Sequence, residues 1–150
     1  MIDIVYAVDP GKARSSVASF LDGVFVGCWM LHVSEMGDVA RGRVVMELPQ
    51  VYPGSRVRAS DLVDLTAAGM AVASRLARQW ERINTLSPSD WKGQVPKEVT
   101  RKRVLAKLVE IEMSRLTECL EPIKPSLHHN LFDAIGIGLV FVKRARRGVV

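Results

Sequence analysis

The sequence predicts an α/β fold: a mixed five-stranded sheet, made of a three-stranded antiparallel meander plus parallel strands, flanked by helices. Three observations carry this. Strand-like apolar runs crowd the first third, helical periodicity dominates the rest, and an Asp-Gly pair joins two of the runs into a hairpin. The 150 residues, 48% hydrophobic and 25% charged, suffice for one core and exclude a disordered chain. No repeat, low-complexity tract or linker divides them, so a single domain over 1–150 is expected.

Residues 2–8 (IDIVYAV) are β-branched and aromatic and stop at Asp9-Pro10-Gly11, a turn signature. Residues 15–21 and 24–33 are two further strands joined by Asp22-Gly23. Val44-Val45-Met46, continuing into Glu47-Leu48-Pro49, reads as a fourth strand closed by the proline. From Ser60, a candidate N-cap, apolar residues recur at Leu62, Leu65, Gly69, Val72, Leu76 and Trp80, one face of a helix. Residues 82–86 (RINTL) supply a short fifth strand, and a loop over 88–93 follows. A second helix is expected over 98–120, with Leu105, Leu108, Val109, Met113, Leu116 and Leu120 on one side. Pro122 and Pro125 interrupt the chain before a last helix over 128–147.

Three acids stand in apolar surroundings: Asp9 after strand one, Glu47 ending strand four, and Asp133 within the last helix. An isolated buried carboxylate is costly, so such residues are neutralised, paired or bound to a cation. Carboxylate oxygens select Mg²⁺ or Mn²⁺, and paired ions of that kind hydrolyse phosphodiesters. Each acid also has a plainer account: Asp9 as a turn residue, Glu47 as a solvated strand end, and Asp133 as a partner of a backbone group. Asp61 and Asp64, near a helix start, answer to the helix dipole.

The net charge of +5 is unevenly placed. Residues 1–90 carry 9 basic and 10 acidic side chains, and residues 91–150 carry 12 and 6. Lys92, Lys97, Arg101, Lys102, Arg103 and Lys107 flank Trp91 at the start of the second helix, and Lys143, Arg144, Arg146 and Arg147 close the chain. DNA phosphates would take such a segment, although a solvated helix face accounts for part of it, since Arg101 to Arg103 cannot all point one way. Trp91 is either a base-stacking residue or a loop anchor.

With these residues in view, the chain resembles the RuvC-type Holliday junction resolvases, especially short phage members. The resemblance rests on the strand–Asp9-Pro10-Gly11 opening, Glu47, the segment from Ser87 through Trp91-Lys92-Gly93 to Lys97, and His128-His129-Asn130-Leu131-Phe132-Asp133-Ala134-Ile135-Gly136. It implies a ribonuclease H-like fold, a homodimer, and Mg²⁺-dependent paired nicks in branched DNA, with Mn²⁺ able to substitute. It also implies that Asp9, Glu47 and Asp133 are the metal ligands and catalytic acids. The family commonly has Asp or His three residues before the last aspartate, where this chain has Asn130, with His129 four before. Asn130 is ranked first by register and His129 second, as a ligand or as a group acting on water. Lys12, Trp91, Lys92, Lys97, Arg101, Lys102, Arg103 and Lys107 are the expected DNA contacts. Residues 34–43 leave little room for the helix that larger relatives carry there. Two other classes stay open: a ribonuclease H-like nuclease for flaps, forks or RNA–DNA hybrids, and a non-catalytic branched-DNA-binding protein.

Cys28 and Cys119 have neither zinc-ligand nor CxxC spacing and are expected to be buried thiols. The N-terminus has no secretory pattern, and the longest apolar run, Leu131–Val142, is too short to span a bilayer. A cytosolic protein, in the host cytosol if viral, without a membrane partner, is the expectation.

Overall fold

The structure is a computed structural model that describes residues 1–51, 53–79 and 82–142. Trp80, which the helical periodicity included, and the C-terminal basic residues Lys143, Arg144, Arg146 and Arg147 lie outside the described residues.

Alternation of apolar side chains produces the sheet. Strands β1 (Ile4–Asp9), β2 (Ser15–Leu21), β3 (Val24–Leu31), β4 (Arg43–Glu47) and β5 (Asn84–Leu86) form one mixed sheet in the order β3-β2-β1-β4-β5. The first three pair antiparallel, while β4 pairs parallel to β1 and β5 parallel to β4. This is the five-stranded arrangement expected from the sequence. The β2–β3 turn needs two left-handed residues, supplied by Asp22 at φ 48° and Gly23 at φ 79°.

Because successive side chains point to opposite faces, the strands feed two cores. Val5, Ala7, Ala18, Phe20 and Val45 pack on one face with Leu131, Ile135 and Leu139 of helix α5 (His128–Phe141). Tyr6, Val8, Val17, Val44 and Met46 pack on the other with Val72, Ala73 and Leu76 of helix α1 (Ala59–Leu76). Asp9 follows Val5 and Ala7 in the alternation, and Glu47 follows Val45. Both carboxylates are thereby directed to the α5 face at the carboxyl ends of the two central parallel strands.

Helix α5 lies close on the sheet because of its glycines. A Cβ at Gly138 would overlap the Phe20 ring, and one at Gly136 would lie 2.5 Å from Trp91 Cζ3.

Three expectations are corrected. Ser60 is not the cap of α1: Arg58, with extended backbone, is, and its carbonyl receives the Leu62 N–H at 3.2 Å. The single helix over 98–120 is two, α3 (Lys97–Leu105) and α4 (Glu110–Leu120). The break is caused by Glu112, a fully buried carboxylate that accepts the Val109 N–H at 2.9 Å and, across to β3, the Phe25 N–H at 2.9 Å. The 88–93 loop contains a helical turn, α2 (Pro88–Trp91), whose Asp90 accepts the Ser87 N–H at 2.8 Å. Between β3 and β4 only a 3₁₀ turn, Val33–Glu35, is present. Among the described residues no helix is long and apolar enough to cross a membrane.

Candidate metal centre and nucleic-acid interface

The chain is forced to present Asp9 at the sheet edge. Asp9 is the last residue of β1, paired with Ser16. The turn after it is tight: a Cβ at Gly11 would overlap the Arg14 carbonyl oxygen, and the Gly11 N–H donates to Ser15 Oγ at 3.2 Å. Pro10 is in turn clamped by α1, where a Cβ at Gly69 would lie 2.7 Å from the proline ring. Glu47 ends β4 one strand away and is 9% exposed. Asp133 comes down from α5, in the second turn of a helix whose neighbouring residues Leu131, Phe132 and Ala134 are buried.

One ammonium links two of these acids. Lys92 Nζ lies 3.1 Å from Asp133 Oδ2 and 4.0 Å from Glu47 Oε2. The adjacent Trp91 donates its indole N–H to the same Glu47 oxygen at 2.7 Å, and the Lys92 ammonium sits 4.7 Å from the indole ring centroid. Burial pushes the Asp9 carboxyl well above the ordinary carboxylate range. The charges of Asp133 and Glu47 push it the same way, and Lys92 opposes them. Glu47 is also raised, first by burial, against the pull of Lys92 and the Trp91 hydrogen bond. Burial alone would lower Lys92, but Asp133, Glu47 and Asp9 together raise it.

The donor set suits a hard divalent cation: three carboxylates, no thiolate, and one carboxylate that burial and like charge leave short of compensation. As the side chains stand, no three His, Cys, Asp or Glu groups among the described residues are arranged around an ion. The Lys92 ammonium already lies between two of the acids.

The other expected site residues divide. Asn130 and His129 sit one turn before Asp133 on α5, half-buried. His128 is engaged elsewhere: its Nε2 is 2.7 Å from the Ile123 carbonyl oxygen and 3.1 Å from that of Leu120, tying the α4–α5 connection. Trp91 is seated on Gly136 with its N–H given to Glu47, as the loop-anchor alternative expects. Lys92 faces the acids, half-buried, rather than standing on a solvated basic face. Arg103 Nη1 donates to the Lys92 carbonyl at 3.4 Å, and Arg103 and Lys107 line a small hollow of about 40 Å³ beside Trp91. Arg101 lies over the Phe132 ring at 5.5 Å, while Lys97 and Lys102 are exposed. Lys12, in the β1–β2 turn, forms an ion pair with Asp61 in the first turn of α1, which also accounts for that aspartate.

The sequence reading did not identify Glu112 or the Trp91–Glu47 hydrogen bond. The Ser-Pro-Ser-Asp-Trp run signals a capped turn, but nothing in one sequence pairs an indole with an acid 44 positions away.

No family model and no curated protein matches the chain. Among solved structures the chain is similar to a Thermus thermophilus RuvC structure, at 16% identity and a TM-score of 0.37, over 95% of this chain and 98% of that one.

Proposed function

We propose that the protein is a metal-dependent endonuclease that cuts branched DNA, with four-way junctions as substrate, by hydrolysing phosphodiester bonds. The observation that carries this reading is the convergence of Asp9, at the end of β1, with Glu47 and Asp133, which share the Lys92 ammonium, at a sheet end bordered by a basic helix.

In this reading Asp9, Glu47 and Asp133 hold Mg²⁺ or Mn²⁺ through carboxylate oxygens, with the Asn130 amide oxygen or a His129 nitrogen completing the set. Divalent cations at such a site lower the pKa of water and stabilise the charge that develops on the departing oxygen. Trp91 fixes the Glu47 carboxylate in one orientation through its Oε2, leaving Oε1 without that bond. Lys92 compensates Glu47 and Asp133 and would offer its ammonium to a phosphate oxygen of the substrate. His129, on the turn preceding Asp133, would take or return a proton at the attacking water. Lys97, Arg101, Lys102, Arg103 and Lys107 supply sequence-independent grip on the DNA backbone. A homodimer carrying two such sites would cut opposing strands and leave 3′-hydroxyl and 5′-phosphate ends.

The test is incubation of the purified protein with a labelled four-way junction and Mg²⁺, in parallel with Asp9→Asn. Paired nicks by the parent and tight binding without cutting by the variant are expected. Cutting retained by Asp9→Asn overturns the site assignment, and preference for a flap, fork or RNA–DNA hybrid over the junction overturns the substrate.

A further inference from the structure

The end of the sheet remote from the acids carries a second charged feature. A cleft of about 760 Å³ opens at the start of β4, lined among others by Arg43, Arg78, Arg82, Asn84 and Phe141. Three guanidinium groups thus share one hollow, and the described residues provide them with a single carboxylate. Asp3 makes a two-point pair with Arg43, at 2.9 and 2.5 Å, and Arg43 also lies 5.3 Å from the Phe141 ring centroid. The Arg78 guanidinium has one long contact, 3.5 Å, to the Arg41 carbonyl. No ion pair among the described residues involves Arg78 or Arg82. Both charges of Arg43 and Arg78 bear on Asp3, lowering its carboxyl, so the two arginines lie within electrostatic reach of one another. Like charges gathered this way repel, and an anion with several oxygens relieves the repulsion.

We infer that this arginine cleft is a second nucleic-acid backbone site, which holds phosphate groups of the substrate at a distance from the carboxylate cluster. The cleft's position supports it. Arg43, Val45 and Glu47 alternate onto the same face of β4, so the Arg43 wall of the cleft shares a face with the cluster, while Val44 and Ile83 line the cleft from the other face. Four residues of strand separate Arg43 from Glu47, on the order of 13 Å at strand rise. This inference rests on the nuclease reading, but adds a contact surface that reading does not use.

The variant Arg78→Gln/Arg82→Gln tests it and leaves the Asp3–Arg43 pair untouched. Binding to a fluorescent four-way junction is measured by anisotropy in chelator at several salt concentrations, with inorganic triphosphate as a competing probe. Each lost phosphate contact lowers the slope of log affinity against log salt by about 0.9. The double variant is expected to lose between one and two units of slope, with an unchanged thermal midpoint. An unchanged slope overturns the cleft, even if the parent cuts junctions. A lowered slope in a protein that never cuts supports the cleft and removes the nuclease reading instead. Triphosphate binding lost in the variant with the DNA slope intact reassigns the cleft to small polyphosphates and overturns the nucleic-acid claim, and absence of any DNA binding by the parent overturns both.

Discussion

Replacing Asp9 by Asn is expected to stabilise the metal-free protein while abolishing its activity. Asp9 is held among two other acids with one ammonium to compensate three carboxylates, and its carboxyl is displaced well upward by burial and by Asp133 and Glu47. A folded-state pKa above the unfolded value means that stability is fully present below the unfolded pKa and is lost as pH rises through the folded one. At a pH below about 4 the Asp9 carboxyl is protonated in both states, so parent and variant should differ little. As pH rises the unfolded chain releases that proton freely and the folded chain does so at a cost. The amide keeps the shape without the charge, and relief of an incompletely compensated buried charge is worth roughly 1–3 kcal/mol. For a chain of this size that raises the melting midpoint by about 2–12 °C. The assay is thermal unfolding of both proteins in chelator at pH 5 and pH 8. The exposed carboxylates Asp3, Glu35, Asp61 and Asp90, all shifted downward, act in the opposite sense but are common to both proteins. Mg²⁺ should then raise the midpoint of the parent and not that of the variant. A variant no more stable than its parent at pH 8, or a gap that does not narrow at pH 5, would refute the account of the cluster as electrostatically strained.

Lys92→Met should tighten Mn²⁺ binding by roughly ten- to a hundred-fold, because the competing ammonium is gone, and calorimetric titration reads this; an unchanged affinity would show that Lys92 and the cation do not compete. Trp91→Phe keeps the packing on Gly136 but removes the 2.7 Å bond to Glu47, worth about 1.5–3 kcal/mol. Single-turnover nicking should slow by about tenfold or more, with junction affinity held. Glu112→Ala strands the Phe25 and Val109 N–H groups and should cost about 2–4 kcal/mol in urea unfolding, whereas Glu112→Gln should recover part of that loss.

The parts of the fold governed by local rules were legible. The Asp22-Gly23 turn, the alternation in β1 and β4 and the apolar face of α5 each depend on neighbours in sequence, and together they place Asp9, Glu47 and Asp133 at one edge. The α3–α4 break was not legible, since the apolar spacing runs on through Leu105, Leu108 and Val109. A residue across the sheet decides it: Glu112 satisfies a strand amide 87 positions away and in doing so starts a new helix. The role of Lys92 escaped for the same reason. In sequence it is one cation in a basic run, and only the packing of α2 against Gly136 turns it inward while Arg101 and Lys102 stay outside.

Two glycines of α5 leave the room on which the surroundings of the acidic cluster depend. Gly136 receives the Trp91 ring, whose indole N–H holds Glu47, and Gly138 receives the Phe20 ring of β2, so a side chain at either position would displace a ring that borders the sheet or the acids. Anyone grafting this constellation onto another α/β scaffold would have to carry those two absent side chains along with the three carboxylates. Copied without them, the acids would keep their places in sequence and lose their common focus.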